Sequence, residues 1–183
     1  PGMKSEDRER ASANIRKAAL KEFRMVHPKN DELIKNLFSD RKVPNGYEVA
    51  ALPNRFQKQC VADTQARYRQ TGADIEVVNR CRTADGKVDD ITGVAKVVPD
   101  SGNAKLRVSF FRPFYGDYWI LALGGGADYG WVLVGEPTRQ FGWVLSRTPQ
   151  LPPSELDAAL ARAEALGYDR RAFKTTPQTQ PLD

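Results

Sequence analysis

Few side chains in this sequence are equipped for chemistry, and their spacing narrows the choice further. The two cysteines, Cys60 and Cys81, lie in neighbouring runs of alternating polarity. If those runs pair as a hairpin, both thiols occupy matching positions on one face and come close enough to bridge. A disulfide there points to an oxidising compartment such as the periplasm. The competing reading is a reactive thiol, which requires one of the two to stay free and acidic. His27, the single histidine, stands before Pro28 with no cysteine or acidic cluster at ligand spacing, so it offers neither a catalytic dyad nor a metal site. Asp89 and Asp90 are strand neighbours whose side chains diverge to opposite faces, which removes them as an acid–base pair. Gly124-Gly125-Gly126 joins two strand-like runs with no helix after it, so it lacks the geometry that cradles a phosphate. The expectation is a protein with no catalytic residues, no metal and no cofactor.

What the chain does offer is a shaped apolar interior, and alternation shows where. From Tyr47 to about Arg147 the hydrophobic period is two, with short runs at 47–52, 60–68, 74–82, 88–98, 104–111, 117–123, 129–135 and 140–147. Turn chemistry separates them, as in Thr71-Gly72-Ala73, Asp85-Gly86, Arg112–Gly116 and Glu136-Pro137-Thr138. Eight hairpin-linked strands suit a closed up-and-down antiparallel barrel, a mainly β fold that leaves no edge unpaired. In the run 60–68, Asp63 and Arg67 mark the outer face and leave Cys60, Ala62 and Tyr68 inward. In 74–82 the inward set is Ile75, Val77 and Asn79. Small inward residues in a barrel of about eight strands leave room for a cavity. After the barrel, Pro152-Pro153-Ser154 opens a helix with Leu156, Leu160, Ala163 and Leu166 on its buried face and Gly167 at its end.

Residues 1–45 have a different character. Ile15, Ala18, Ala19, Phe23 and Val26 recur at the helical period, Pro28 stops that helix, and a second short one carries Leu33, Ile34, Leu37 and Phe38. This segment holds eleven Lys/Arg against seven Asp/Glu, whereas 46–183 hold seventeen against sixteen, so most of the net charge of +5 lies in the extension. A nearly neutral body lacks the clustered positive stripe that nucleic-acid binding requires. The longest apolar runs, Tyr118–Leu123 and Trp131–Val134, fall far short of the roughly 20 residues of a membrane helix. No secretory leader or lipid-accepting cysteine is recognisable near the start, so a cytoplasmic location stays open beside the periplasmic one. The extension reads either as a helical pair packed on its own domain or as an arm that binds a partner. The chain thus divides into a helical extension (1–45), a barrel with its C-terminal helix (46–178) and a polar tail (179–183) expected to fray.

One set of motifs is specific in combination. Leu52-Pro53-Asn54-Arg55-Phe56-Gln57, Gly93-Val94-Ala95-Lys96-Val97, Lys105–Phe110, Gly116-Asp117-Tyr118-Trp119-Ile120-Leu121, Asp128-Tyr129, Leu133-Val134-Gly135, Trp143–Pro149 and Gly167-Tyr168-Asp169 occur in that order. They resemble the bacterial lipocalins of the outer-membrane lipoprotein type, related to plant temperature-induced lipocalins and apolipoprotein D, over roughly Tyr47–Gln178. The resemblance implies an eight-stranded calyx that binds and carries a lipophilic molecule, by class a fatty acid or lysophospholipid, in a periplasmic or outer-membrane setting. Carrying over the family's inward parity, Tyr129, Trp131 and Leu133 face the cavity, as do Phe141, Trp143 and Leu145. Leu106, Val108, Phe110, Tyr118 and Ile120 continue the wall, which Tyr68, Val77 and Asn79 complete. Asn79, Tyr118 and Tyr129 are the candidate polar anchors. The aromatic loops Pro53–Gln57 and Arg112–Tyr115 stand at the open end as candidates for a ligand lid, a membrane-surface contact or a homodimer contact. The alternative is an isomerase-type enzyme on the same barrel, which depends on a free thiol.

The chain departs from the family at one place. The family opens its first strand with Gly-x-Trp-Tyr-Glu, and the tryptophan covers an arginine of the last strand at the closed end. Here Gly46 stands at the tryptophan position, while Arg147 keeps the arginine. The expectation is that Arg147 points into the barrel floor, that Glu48 is its charge partner, and that Leu37 or Phe38 of the extension covers it.

Overall fold

The computed structural model of the protein describes residues 46–102, 104–124, 129–180 and 182. The helical extension, with Leu37 and Phe38, lies outside them.

Alternating sequence gives eight antiparallel strands: β1 (Gly46–Ala51), β2 (Cys60–Thr71), β3 (Asp74–Thr83), β4 (Val88–Val97), β5 (Lys105–Phe111), β6 (Phe114–Gly124), β7 (Trp131–Gly135) and β8 (Gly142–Ser146). Each pairs with the next in sequence, and β1 pairs with both β8 and β2, so the sheet closes into a barrel. A two-residue strand, β9 (Lys174–Thr175), adds to β1. Strand β6 starts earlier than turn composition suggests, because Arg112-Pro113 alone makes the bend and Phe111 pairs with Phe114.

Two apolar cores share the barrel wall. The inner one gathers Ile75, Val77, Ala95, Leu106 and Ile120, continued by Ala66, Val134 and Leu145. The outer one lies between the wall and helix α1 (Pro153–Ala165), where Ala50, Leu133 and Val144 meet Ala159, Ala163, Tyr168 and Phe173. Ala159 and Ala163 are four residues apart, on one helical face, and both are fully buried; their small side chains let the helix approach the sheet closely. Trp131 fixes the helix from the wall by donating its indole N–H to Glu155 at 2.6 Å. Gly167, at φ +87°, ends the helical segment in a conformation that favours glycine. On the same outer face of the sheet, the Lys105 ammonium lies 4.2 Å above the Trp119 ring.

At the start of β2, Cys60 and Cys81 form the expected disulfide across to β3. It uses both cysteines of the chain.

The seam between β1 and β2 is closed by a different device. The two strands pair at Gly46↔Ala66 and Tyr47↔Gln65. Beyond that point the C-terminal tail enters between them. Thr176 N–H donates to the Val49 carbonyl at 3.0 Å, and Asp63 N–H donates to the Pro177 carbonyl at 2.8 Å. The Gln178 amide spans the gap, donating to the carbonyls of Glu48 at 2.8 Å and Thr64 at 3.0 Å. Asp63, held at φ +56° and fully buried, accepts from Arg82 Nε at 2.7 Å and from the backbone N–H groups of Thr179 and Gln180. Leu182 is buried, and its carbonyl accepts from Arg67 at 2.6 Å. The described tail residues therefore do not fray. Their polarity, which suggested solvent, instead supplies partners for a sheet seam that would otherwise expose unpaired backbone. Asp63 does lie on the outer face, as its charge suggested, but the tail covers it.

Burial alone would raise the Asp63 carboxyl, but the bonds from Arg82, Thr179 and Gln180 outweigh it and hold the group below its ordinary value. A carboxyl lowered in the fold contributes stability above its unfolded value of about 4, and that contribution is lost as pH falls through the folded value. Asp63→Asn is expected to lower stability by about 1–3 kcal/mol, to speed amide exchange at residues 176–180, and to abolish this acid-side loss. Melting curves between the two pH limits check it. Reducing the disulfide, which closes a loop of 21 residues, should destabilise by about 3 kcal/mol, measured by denaturant titration with and without reductant.

Candidate functional site

The lumen is defined by following one register around the wall. Tyr68 faces Val77 across β2–β3, and Ile75 faces Ala95 across β3–β4. Ala95 faces Val108 and Val97 faces Leu106 across β4–β5; Leu106 then faces Tyr118. Ile120 faces Val134, and Val134 faces Trp143. Alternation carries Asn79 and Phe110 onto the same face. Phe110 lies across Gly93 so closely that a Cβ there would meet its ring at 2.6 Å, so this position must lack a side chain.

Charge is kept out of this interior by phase. Arg67, Arg69, Arg80, Arg82, Lys96, Lys105 and Arg107 all alternate against the inward residues of β2–β5, and so point away from the lumen. Among the described residues the buried carboxyl on the inward face is Glu48, which faces Leu145; Asp89, in the same inward phase opposite Cys81, lies exposed towards the mouth. Glu48 accepts from Gln57 Nε2 at 2.6 Å and from Thr176 Oγ1 at 2.6 Å. Burial pushes its pKa up despite both bonds. Gln57 in turn accepts from the Trp143 indole at 3.4 Å and from the Asn54 amide. The 3-10 turn Arg55–Gln57 is thereby clipped into the barrel mouth.

Aromatic rings run from that turn into the lumen. Phe56 and Phe141 lie 5.6 Å apart, Phe141 and Trp143 stack at 6.1 Å, and Trp143 and Tyr118 stack at 6.5 Å. The Tyr118 hydroxyl ends the series against that of Tyr68 at 2.6 Å. Strands β2 and β6 are four steps apart in either direction around the closed sheet, so these two phenols meet from opposite walls and form a bar across the lumen. Burial raises Tyr68 to about 12 and lifts Tyr118 well above its ordinary value, the latter also through the Tyr68 phenol beside it. The mouth-side neighbour of Tyr118 on the inward face is Gly116, opposite Val108. A Cβ at Gly116 would meet nothing within 4 Å. The lumen is open at that level.

The structure brings Tyr68, Val77, Asn79, Val108, Phe110, Tyr118, Ile120 and Trp143 onto the inward wall, with Phe141 at the mouth beside Phe56. It places two of the expected wall residues elsewhere. Trp131 and Leu133 face α1 in the outer core. The cause is a β-bulge between Ile120 and Ala122, which reverses the phase of the sheet so that Val132 and Val134 take the inward positions. Tyr129, at φ +51°, precedes β7 at the closed end. The expected Glu48–Arg147 pair is also corrected. Glu48 is committed to Gln57 and Thr176, while Arg147 Nε donates to the Tyr129 carbonyl at 2.7 Å. A backbone oxygen thus serves where a carboxylate was expected. Gln57 and Thr176 escaped sequence reading because nothing local marks a loop amide and a tail hydroxyl as partners of one strand carboxyl.

Apolar side chains also mark the mouth. The six exposed large hydrophobics among the described residues are Phe56, Val61, Val88, Ile91, Phe111 and Phe114. All but Ile91, which sits four residues into β4 opposite Asn79, belong to the loops and strand ends at the open end. Cations accompany them: Arg55, whose guanidinium lies 5.1 Å over the Phe56 ring, with Lys58 and Arg112 nearby in sequence.

Known proteins share this architecture. The chain is 35% identical to temperature-induced lipocalin-1 of Arabidopsis thaliana, with 85% of this chain and 87% of that protein covered. It is 31% identical to the outer membrane lipoprotein Blc of Escherichia coli K12, covering 80% and 82%, and 34% identical to mouse apolipoprotein D, covering 75% of each. In fold it is similar to lobster apocrustacyanin A1, with a TM-score of 0.62 at 15% identity over 82% of this chain and 86% of that one. The lipocalin-like domain pattern matches residues 44–178. With a closed eight-stranded barrel, a helix on its outer wall and an apolar lumen, this chain belongs to the lipocalins.

Proposed function

We propose that the barrel binds and carries a lipophilic molecule of the fatty-acid or lysophospholipid class. Lipocalins are binding and transport proteins for small hydrophobic ligands, and one observation supports that role here. Inward apolar and aromatic side chains, among them Val108, Phe110, Tyr118 and Trp143, are only partly buried although they face into the barrel, beside open space at Gly116. A filled core would bury them. Each methylene moved from water into such a lumen contributes about 0.8 kcal/mol, so a chain of about a dozen carbons outweighs the cost of ordering it.

The charge distribution orients the ligand. Among the described residues the wall of β2–β5 turns no cation inward to receive an anionic head, whereas Arg55, Lys58 and Arg112 stand at the mouth. The head therefore stays at the rim and the acyl chain enters the lumen. The apolar side chains of the rim suit exchange with a lipid surface, where aromatic and cationic residues insert together. An oxidising compartment suits the disulfide, and the outer-membrane lipoproteins among the relatives make the periplasmic face of that membrane the proposed site of action. The isomerase-type alternative loses its basis, because both cysteines are bonded to each other.

Fluorescent fatty-acid or lysolipid probes are expected to bind one site per barrel. Trp143→Ala should weaken binding by about tenfold, the scale of one lost aromatic contact, while outward Arg67→Ala should leave it unchanged. Equal effects from both would count against a lumenal site. Gln57→Ala should release the mouth turn and raise the association and dissociation rates together, read by stopped-flow fluorescence.

A further inference from the structure

A lumen built for plain hydrocarbon has no use for polar groups deep inside it, yet this one holds several at one level. The Tyr68–Tyr118 bar lies across the barrel. Asn79 faces Ala66, next along the inward face from the Val77 that opposes Tyr68, and its amide has no hydrogen-bond partner among the described residues. Open space begins beside this cluster, at Gly116. These groups are neutral. An amide and a phenol can each donate and accept, but neither can compensate a buried carboxylate or phosphate as a cation would.

Resting on the lipid-binding reading above, we propose that the cognate ligand is an oxygenated acyl chain, with a neutral hydroxyl or carbonyl that hydrogen-bonds Asn79 and Tyr118 at the bar. The spacing suits this class. Tyr118 is four residues along β6 from Phe114, the first strand residue after the Arg112-Pro113 bend, which is about 13 Å of strand at 3.3 Å per residue; the bend and the length of the Arg112 side chain set the head further out. A chain whose charged head stays beside Arg112 brings carbons beyond its midpoint to the level of the bar. The cluster thus reads a substituent on the distal half of the chain, while the mouth reads the head.

The sign of the selectivity separates this from a generic apolar pocket, which disfavours a hydroxylated chain because burying a hydroxyl without a partner is costly. The test uses the delipidated full chain and fatty acids of one length, either unsubstituted or hydroxylated at successive carbons, in competition against one fluorescent fatty-acid probe. The expected result is that distal-half hydroxy acids bind about tenfold tighter than the unsubstituted acid, the scale of one well-made hydrogen bond to a buried polar group. Hydroxylation near the head should give no gain. Tyr118→Phe and Asn79→Leu, each checked for an intact disulfide and barrel circular dichroism, should remove the preference, so that the hydroxylated and unsubstituted acids compete equally within each variant. A preference that survives both substitutions overturns the assignment to these two side chains. If the parent protein binds the acids but prefers the unsubstituted one, the proposal is overturned while lipid binding stands. If it binds none of them, the lipid reading falls and this proposal with it. Because the parent protein's own preference is measured directly, the proposal stays falsifiable even where a variant fails to fold.

Discussion

A barrel must close, and this one closes on its own tail. Direct pairing between β1 and β2 covers two residue pairs, after which the strands diverge and both would present unpaired backbone to water. Residues 174–180 enter that gap as a strand and then as a strap, with Asp63 collecting two backbone N–H groups and a guanidinium at its end. The left-handed backbone at Asp63 is what turns its carboxylate toward the tail, and aspartate is one of the few residue types that adopts it readily. The same strap delivers Thr176 to Glu48, and Glu48 holds Gln57 at the mouth. Barrel closure, the interior carboxyl and the position of the entrance turn are therefore links of one hydrogen-bonded chain.

Within the closed barrel, packing is uneven. Stacked rings descend from Phe56 to Tyr118, and beside the last of them, on the mouth side at Gly116, the space is open. This asymmetry lets a rigid wall and an accessible space coexist in one small domain. The rings also join the entrance to the centre through direct contact, so a shift of the turn at Phe56 reaches Trp143 without passing through the backbone.

Much of this fold was legible in the sequence because two-residue periodicity is a local property. The strand runs, the inward residues Tyr68, Ile75, Val77 and Asn79, the disulfide between Cys60 and Cys81 and the helix ended by Gly167 all follow from alternation, turn residues and caps, whereas bulges in β2 turn Ala62, expected inward, to the outer face opposite Arg82. Legibility failed where a non-local event changed the phase. The bulge at Leu121 moved Trp131 and Leu133 to the helix side, and no residue type in Ile120-Leu121-Ala122 announces it. The tail failed for another reason. Thr176, Gln178, Thr179 and Gln180 read as solvent-loving, yet polar side chains are also what an incomplete sheet needs. Arg147 shows the same limit at single-residue scale, since a backbone carbonyl such as that of Tyr129 is invisible to any reading based on side-chain charge.

The three tryptophans of the chain have separate surroundings: Trp119 beneath a lysine on the outer surface, Trp131 under the helix with its indole tied to Glu155, and Trp143 among the rings of the lumen. Each emits from a different medium, namely a half-buried outer face under a cation, a carboxylate-bound interior and a stacked aromatic environment. The protein's ultraviolet fluorescence is consequently a sum of three independent optical reports, one on the surface, one on helix docking and one on the contents of the barrel, and keeping a single indole while replacing the other two with phenylalanine would let each be read alone.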